Sequence, residues 1–496
     1  MRGRFLCEKV YLMAYKDLNT FIELLESKGE LIRIKEEVSP RLEITEITDR
    51  VSKRQGPALL FENVRSPSGH PVAINLFGSM RRITMALEVE DLDDLATDVM
   101  AFLDAERTEG LLEKLKLLPK VKRIGSIFPK KVKRAPCQEV ILRDDEVDLT
   151  ALPILTCWPQ DAGPFITLPL VATQHPETSK RNLGMYRLQV FDGNTTGMHW
   201  HAHKGGAEHY RVAERMGVRL PVSVAIGADP ACVYAATAPL PEDMDEFLLA
   251  GYLRKRPVEL VKCITNDLYV PANAQYVLEG YVNPGERRIE GPFGDHTGFY
   301  SLAGEFPVFH VTCLTMRKDP IYHATVVGRP PMEDAFLGKV TERLFLPIIK
   351  KQLPEVVDMN LLIEGGFHNL VFVSIDKRYP GHASKVMHAL WGMGQMMFSK
   401  MIFVFDKEVN VQDLSEVLWY LGNHVAPRRD ILFTEGPLDE LDHSAERPLF
   451  GSKMGVDCTR KWPEEGFDRQ WPDVIRMDED VKQKIDKIWP KLGIRL

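Results

Sequence analysis

From Asp17 onward the chain alternates between two hydrophobic periods, and each predicts a different kind of element. Leu18, Phe21, Ile22 and Leu25 recur at the spacing of one helical face, behind cap-type residues, and the pattern stops at Gly29. Leu31, Ile32 and Ile34 then begin a strand-like run, so the chain opens as a helix feeding a sheet. Mixed helix and strand continue to about Leu118, and the Lys-, Arg- and Pro-rich stretch through Pro136 reads as a connector between domains. Between Val140 and Met316 short β-branched and apolar runs, at 140–142, 166–172, 222–226 and 309–314, are separated by Gly, Pro, Asn and Asp. That texture predicts a barrel-like β domain. After Pro320, strand candidates at 370–375 and 401–405 alternate with helix candidates at 334–351 and 384–393, which predicts a third, α/β domain. From Met454 the chain mixes Trp, Pro and charge and is expected to wrap another surface or a neighbouring subunit. The predicted division is 1–125, 126–320 and 321–496, with 1–12 read as an upstream-start extension because Met13 directly precedes the opening helix.

Composition narrows the function classes. A chain of 496 residues with 44% hydrophobic and 27% charged side chains has the size for two or three domains. Lys plus Arg number 63 against 70 Asp plus Glu, a net charge of -7, so there is no global positive field to hold nucleic acid phosphates. The basic runs at 114–123 and 130–134 contain or flank prolines and lack interleaved aromatics, which is the profile of a solvated connector. Seven cysteines without a C-x-x-C pair suggest neither a disulfide framework nor a zinc ribbon, and point to a reducing cytosol. The most apolar region, 390–405, is broken by Gly392, Gly394 and Lys400, so no membrane span is predicted. The first dozen residues lack the apolar core of a signal peptide.

Three local constellations carry candidate chemistry. In Asn182-Leu183-Gly184-Met185-Tyr186-Arg187, strand alternation would place Arg187 on the face of Leu183 and Met185. A guanidinium cannot lose its charge, so an Arg among apolar residues needs a carboxylate or phosphate partner, whether for structure or for function. In Met198-His199-Trp200-His201-Ala202-His203-Lys204-Gly205-Gly206, the imidazoles would share one face of a strand. They could hold zinc in a hydrolase, meet a flavin or phosphate, or form a polar edge. The glycines and Lys204 tilt this toward phosphate. In Glu290-Gly291-Pro292-Phe293-Gly294-Asp295-His296-Thr297-Gly298, two carboxyls are separated by a tight turn. In a shared, partly desolvated pocket one would stay ionised beside a cation while the other kept its proton; the plain alternative is a turn with solvated acids. Asp243, Asp245 and Glu246 open a helix, where acids commonly do no more than complement the dipole.

Together these segments resemble the UbiD-type family of prenylated-flavin decarboxylases. The likeness extends through Ile226-Gly227-Ala228-Asp229-Pro230, Gly328-Arg329-Pro330-Pro331 with Glu333-Asp334-Ala335, Tyr379-Pro380-Gly381-His382-Ala383 and Gly451-Ser452-Lys453-Met454-Gly455, covering most of 13–471. The resemblance implies an α+β multidomain fold: an N-terminal α/β domain, a central split β-barrel that binds flavin, and a C-terminal α/β domain with an extended oligomerisation tail. It implies prenylated FMN tied by its phosphate to Mn²⁺ or Mg²⁺, with K⁺ as a further candidate. Asn182, His199 and Glu246 match the family's metal ligands, a mostly hard donor set suited to such ions. Met185, Tyr186, Arg187, Trp200, His201, Lys204, Gly205 and Lys400 match cofactor-contacting positions. Many relatives close to the polyprenylbenzoate enzymes carry Arg where this chain has His199, and Leu near His201, which sets the metal geometry implied here apart from theirs. Arg187, Glu290 and Asp295 match the catalytic network, with Asp295 as proton donor.

The implied reaction is reversible, non-oxidative loss of CO₂ from an aromatic acid. The run 295–300 most resembles enzymes acting on 4-hydroxybenzoate-type, polyprenylated quinone precursors of ubiquinone biosynthesis, with a menaquinone-route acid or a small phenolic acid such as vanillate as alternatives. Implied partners are a flavin prenyltransferase as cofactor supplier and further copies of the chain, as dimer or hexamer. A cytoplasmic protein is expected, brought to the inner face of the membrane if its substrate is lipophilic. A metal hydrolase using His199, His201 and His203 lacks an H-x-x-E-H or H-E-x-x-H partner. A non-catalytic flavin-binding protein would have no need of Arg187, Glu290 and Asp295 together.

Overall fold

A computed structural model describes residues 15–97, 127–201, 205–240 and 244–494. The proposed extension at 1–12, the basic run at 114–123, Asp243, His203 and Lys204 lie outside the described residues.

The opening helix spans Leu18–Ser27. Asp17 accepts a hydrogen bond from the Thr20 amide at 3.0 Å while Thr20 Oγ1 accepts from the Asp17 amide at 3.0 Å, closing a capping box. The predicted stripe Leu18, Phe21, Ile22 and Leu25 is buried, and Gly29 ends the helix in the left-handed region at φ 71°. The strand Leu31–Ile34 follows and joins a four-stranded sheet with Ala58–Phe61, Val72–Ile74 and Tyr322–His323. The last of these comes from far down the chain, so residues beyond Pro320 complete the first sheet.

The central unit is a seven-stranded sheet in the order Thr195–Gly197, Gly304–Met316, Tyr276–Glu290, Leu220–Ile226, Pro169–Gln174 and Arg181–Met185, with Val140–Arg143 added beside Gly304–Met316. Every pairing in it is antiparallel. One edge strand, Arg181–Met185, runs on through Tyr186 and Arg187 into Leu188–Gln189, and the next residue, Val190, bridges Thr196 on the other edge. The sheet thus bends back on itself, and the chain leaves regular pairing at Tyr186 and Arg187. The basic segment expected to be solvated connector instead contains a strand, Lys130–Val132, paired with Glu259–Lys262; its lysines supply backbone bonds to a sheet edge while their charges stay outside.

The C-terminal sheet orders Val356–Leu361, Leu370–Ile375, Met401–Asp406, Phe450–Asp457 and Ile431–Pro437, parallel in the middle and antiparallel at both edges. Alternate residues serve opposite faces: Val371, Val373, Ile402 and Val404 meet the His382–Trp391 helix side, while Phe372, Phe403 and Phe405 pack with Val417 and Tyr420. Met454, where the tail was expected to start, lies inside this sheet. The chain leaves the body later, and the helix Glu479–Ile488 buries none of its residues.

Candidate active site

Arg187 sits just past the end of its strand, not within it as the alternation predicted. Freed from the ladder, its guanidinium turns inward and engages three acceptors. Nε donates to Glu290 Oε1 at 3.0 Å, Nη1 donates to Asp295 Oδ2, and Nη2 donates to Ser301 Oγ at 3.0 Å. Its Cζ lies 4.7 Å from the Phe293 ring centroid. The side chains of Arg187, Glu290 and Asp295 are 9%, 0% and 9% exposed, so this is a desolvated ion cluster whose charges must balance locally.

Glu290 ends the long strand Tyr276–Glu290, and Asp295 follows the strand Phe293–Gly294, which pairs with Tyr300–Ser301 as a hairpin. Residues outside the sequence-derived set hold this hairpin in place. Asp161 accepts from the Gly294 amide at 2.8 Å and from the Trp158 amide at 2.8 Å. Gly294 lies so close to Trp158 that a Cβ there would fall 2.2 Å from Cδ1, and Trp158 Nε1 donates to the Val327 carbonyl at 2.8 Å. Ser301, Asp161 and Trp158 had only a weak sequence signal, a Cys157-Trp158-Pro159-Gln160-Asp161 turn, because pinning a distant hairpin leaves no local motif.

The expected divergence of the two acids is not what the cluster shows. Burial pushes the Glu290 carboxyl up, but His199 and Arg187 outweigh it and hold it below its usual range. Burial pushes Asp295 up as well, and His296 with Arg187 holds it well below its usual range. The Arg187 guanidinium and the contacts from two imidazole rings favour the ionised form of both carboxylates. His296 donates to Asp295 Oδ1 from its backbone amide at 2.8 Å and its ring Nδ1 lies 3.0 Å from the same oxygen. Burial lowers the basicity of that ring, and Asp295 more than restores it.

His199 and His201 lie beyond the strand Thr195–Gly197 rather than on it, yet their rings meet edge to face at 4.9 Å. His199 Nδ1 is 2.9 Å from Glu290 Oε1, so this ring touches the Arg187, Glu290 and Asp295 cluster directly. His201 Nδ1 is 3.9 Å from Glu440 Oε2.

The remaining predicted residues gather beside this cluster. Glu246 is the first residue of the helix Glu246–Leu253, capped by Asp245, and Glu246 Oε2 accepts from the Leu183 amide at 3.1 Å. Asn182 approaches Gly205, where a Cβ would fall 2.3 Å from Asn182 Oδ1, and Gly206, where a Cβ would fall 2.6 Å from Trp200 Nε1. Asn182 Nδ2 and Trp200 Nε1 are buried without partners, and the Gly206 amide donates to Tyr186 Oη at 3.4 Å. Burial pushes the Glu246 carboxyl up to about 7, its neighbour Asp245 pushes it further, and backbone amides and Arg181 only partly offset this. A cation at this point would relieve that imbalance. Unsatisfied donors, backbone approach permitted only by glycine, and a carboxylate short of positive charge together fit a phosphate-bearing cofactor and a divalent ion.

His199 turns Nδ1 to Glu290, while Asn182 lies on the Arg181–Met185 strand and Glu246 accepts from the amide of Leu183, the residue after Asn182. Among the described residues no group of three or more His, Cys, Asp or Glu is poised to hold a metal. Met185 donates its amide to Ala236 O at 3.2 Å. Lys400 Nζ lies 2.9 Å from Asp442 Oδ1 and is also bonded to Ser444. A cavity of about 350 Å³ lined by Thr173, Arg181, Asn182, Phe247 and Tyr269 reaches Asn182 but none of Arg187, Glu290 and Asp295.

Residues 22–99, 130–330 and 335–458 match in turn the N-terminal, Rift-related and C-terminal domains of 3-octaprenyl-4-hydroxybenzoate carboxy-lyase. An uncharacterised protein of Archaeoglobus fulgidus is 52% identical over 97% of this chain and 99% of its own. The vanillic acid decarboxylase of Sedimentibacter hydroxybenzoicus in its closed form superposes with a TM-score of 0.83 at 30% identity, covering 97% of this chain and 99% of that one. The UbiD-class enzyme HmfF of Pelotomaculum thermopropionicum, solved with FMN, gives 0.80 at 29% identity over 97% and 100%, and its evolved dimeric form was solved with prFMN, 0.76 at 29% over 92% and 97%. With all three domains matched in order along one chain, this protein belongs to the UbiD family of carboxy-lyases.

Proposed function

We propose that this chain removes CO₂ from an aromatic carboxylic acid using prenylated FMN and a divalent metal, with a 4-hydroxybenzoate-type, polyprenylated quinone precursor as first candidate substrate. The observation that carries the reading is the buried Arg187 shared by Glu290 and Asp295. Asn182, Glu246 and His199 would hold the metal, and Tyr186, Trp200, His201, Lys204, Gly205 and Lys400 would line the cofactor. When bound, prenylated FMN supplies the electron sink that an sp² carbon lacks on losing its carboxyl group. Arg187 orients the substrate carboxylate as it does the two acids, by paired N–H donors. Glu290 fixes the guanidinium, and Asp295 hands over the proton that replaces CO₂. The apolar wall of Phe293 keeps water from the reacting carbon.

A small phenolic acid is a second reading, favoured by the match to a vanillic acid decarboxylase over nearly the full length of both chains. Protein co-produced with a flavin prenyltransferase is to be assayed for CO₂ release against both acid classes. Release from neither, with prenylated flavin bound, would sink the proposal. Glu246→Ala is expected to lose both metal and flavin, and a variant that metal analysis and absorbance show fully loaded would remove Glu246 from the tether. In the cell a prenyltransferase would supply the cofactor, and a polyprenylated substrate would draw the protein to the membrane surface; among the described residues no helix is long and apolar enough to cross a membrane.

A further inference from the structure

Decarboxylation of an aromatic acid consumes one proton per turnover, since RCOO⁻ and H⁺ give RH and CO₂. Asp295 is held as an anion by Arg187 and His296, so a carboxylate that has given up its proton must be refilled from behind. The side turned away from Arg187 leads into a pair of imidazoles. His296 Nδ1 faces Asp295 Oδ1 at 3.0 Å, and its Nε2 faces His368 Nε2 at 3.1 Å. Two ring nitrogens at that distance share a single proton, one donating and the other accepting. We propose that His296 and His368 form a relay that returns the consumed proton to Asp295, an inference that rests on Asp295 being the proton donor.

The relay is built, not incidental. The Phe367 ring stacks on His296 at 5.1 Å and 22°, which fixes the plane of the first imidazole. Phe367 adopts a left-handed backbone at φ 52°, a costly conformation for a bulky residue, and this places His368 against His296. The outer nitrogen, His368 Nδ1, is buried beside Asn369 and makes no hydrogen bond of full geometry, which leaves it able to take up a proton at the far end of the chain. The charged groups facing the pair are mostly acids: Asp295, Asp334 and Asp439 at His296, and Asp439 and Asp442 at His368. They favour passage of a positive charge toward Asp295. In the step itself the His296 Nδ1–H bond breaks as an O–H bond forms on Asp295. The Nε2–H proton of His368 passes to His296 Nε2, and a solvent proton binds His368 Nδ1. Net uptake is one proton, and no electrons move. Both histidines act through Asp295 and are positioning residues.

In holoenzyme, His368→Ala is expected to lower steady-state kcat about 100-fold with KM and flavin absorbance unchanged, and added 4-methylimidazole should restore turnover. A first-turnover burst of CO₂ should persist, because carbon–carbon cleavage precedes proton delivery. His368→Gln, which keeps a polar side chain but cannot relay, should behave alike if the alanine variant folds poorly. Independently of turnover, ring ¹⁵N shifts of His296 in substrate-free protein should move in His368→Gln. A kcat within twofold of wild type in both His368 variants, or His296 shifts indifferent to His368, would overturn the relay. If Asp295→Asn turns over normally, the proton-donor reading and the relay both fall. If Asp295→Asn is inactive while both His368 variants are normal, the relay alone falls.

Discussion

At the scale of single residues the site is organised by charge balance around one guanidinium. Arg187 is the shared cation of two buried carboxylates, and removing it leaves both uncompensated. Arg187→Ala is therefore expected to cost about 3–5 kcal/mol of stability and to abolish turnover, while Glu290→Gln, which keeps shape and packing, should lower kcat about 10³-fold with flavin still bound. Wild-type CO₂ release from Glu290→Gln would refute the network. A second residue-scale prediction concerns His323, buried with neither ring nitrogen bonded and tilted against Phe77. Burial pushes its pKa down to about 3. As pH falls below about 6.5 the unfolded chain binds a proton that the folded chain refuses, so stability is lost progressively toward acid. His323→Phe should gain about 2 kcal/mol over wild type on going from pH 7.5 to pH 5, read from denaturation midpoints; an unchanged difference would show that His323 does not contribute.

At the scale of elements, the hairpin from Phe293 to Ser301 aims Asp295, and its aim depends on contact with Trp158 and Asp161. Gly294→Ala should drive a methyl into the Trp158 ring and cost about 1–3 kcal/mol. Because the hairpin would tilt, kcat should fall more than stability alone explains, and an active, fully stable Gly294→Ala protein would show that Trp158 gives way freely. Much of this element scale was legible in the sequence. The helix Leu18–Ser27 announced itself through its cap and stripe, and the strand Leu370–Ile375 through an unbroken apolar run, because both signals lie within a few neighbouring residues. The strand alternation failed at Arg187 because the ladder ends at Met185, an ending set by pairing partners far away in the chain. Asp245, read as one acid among three at a helix start, turned out to be the cap itself.

At the scale of the whole molecule, the first sheet is completed by Tyr322–His323, and His296 and His201 are met from the C-terminal part by His368 and Glu440. The domains are thus stitched to one another rather than strung in line. The helix Glu479–Ile488 exposes Val481, Ile485 and Ile488, with Trp489 beyond its end, while Leu418 and Trp419 stand exposed on the body. Such a stripe is half of a helix-in-groove contact, and we propose that it docks on a second copy of this chain. Truncation after Trp471 is expected to yield a smaller species by light scattering with the body still folded, and an unchanged mass would remove the tail from assembly.

The sequence by itself determined the helices, most strands, the texture of three successive parts and the three short runs that carry the candidate chemistry. These depend on local periodicity, capping and turn geometry, which a linear string records. Only the tertiary structure decided that Arg187 serves two acids at once, that its charge helps hold both acids below their usual range, and that His296 is backed by His368. Protonation and pairing in a buried cluster depend on every charge within a few ångströms, and those charges come from residues far apart in the chain, Arg187 and Asp295 being separated by 108 positions.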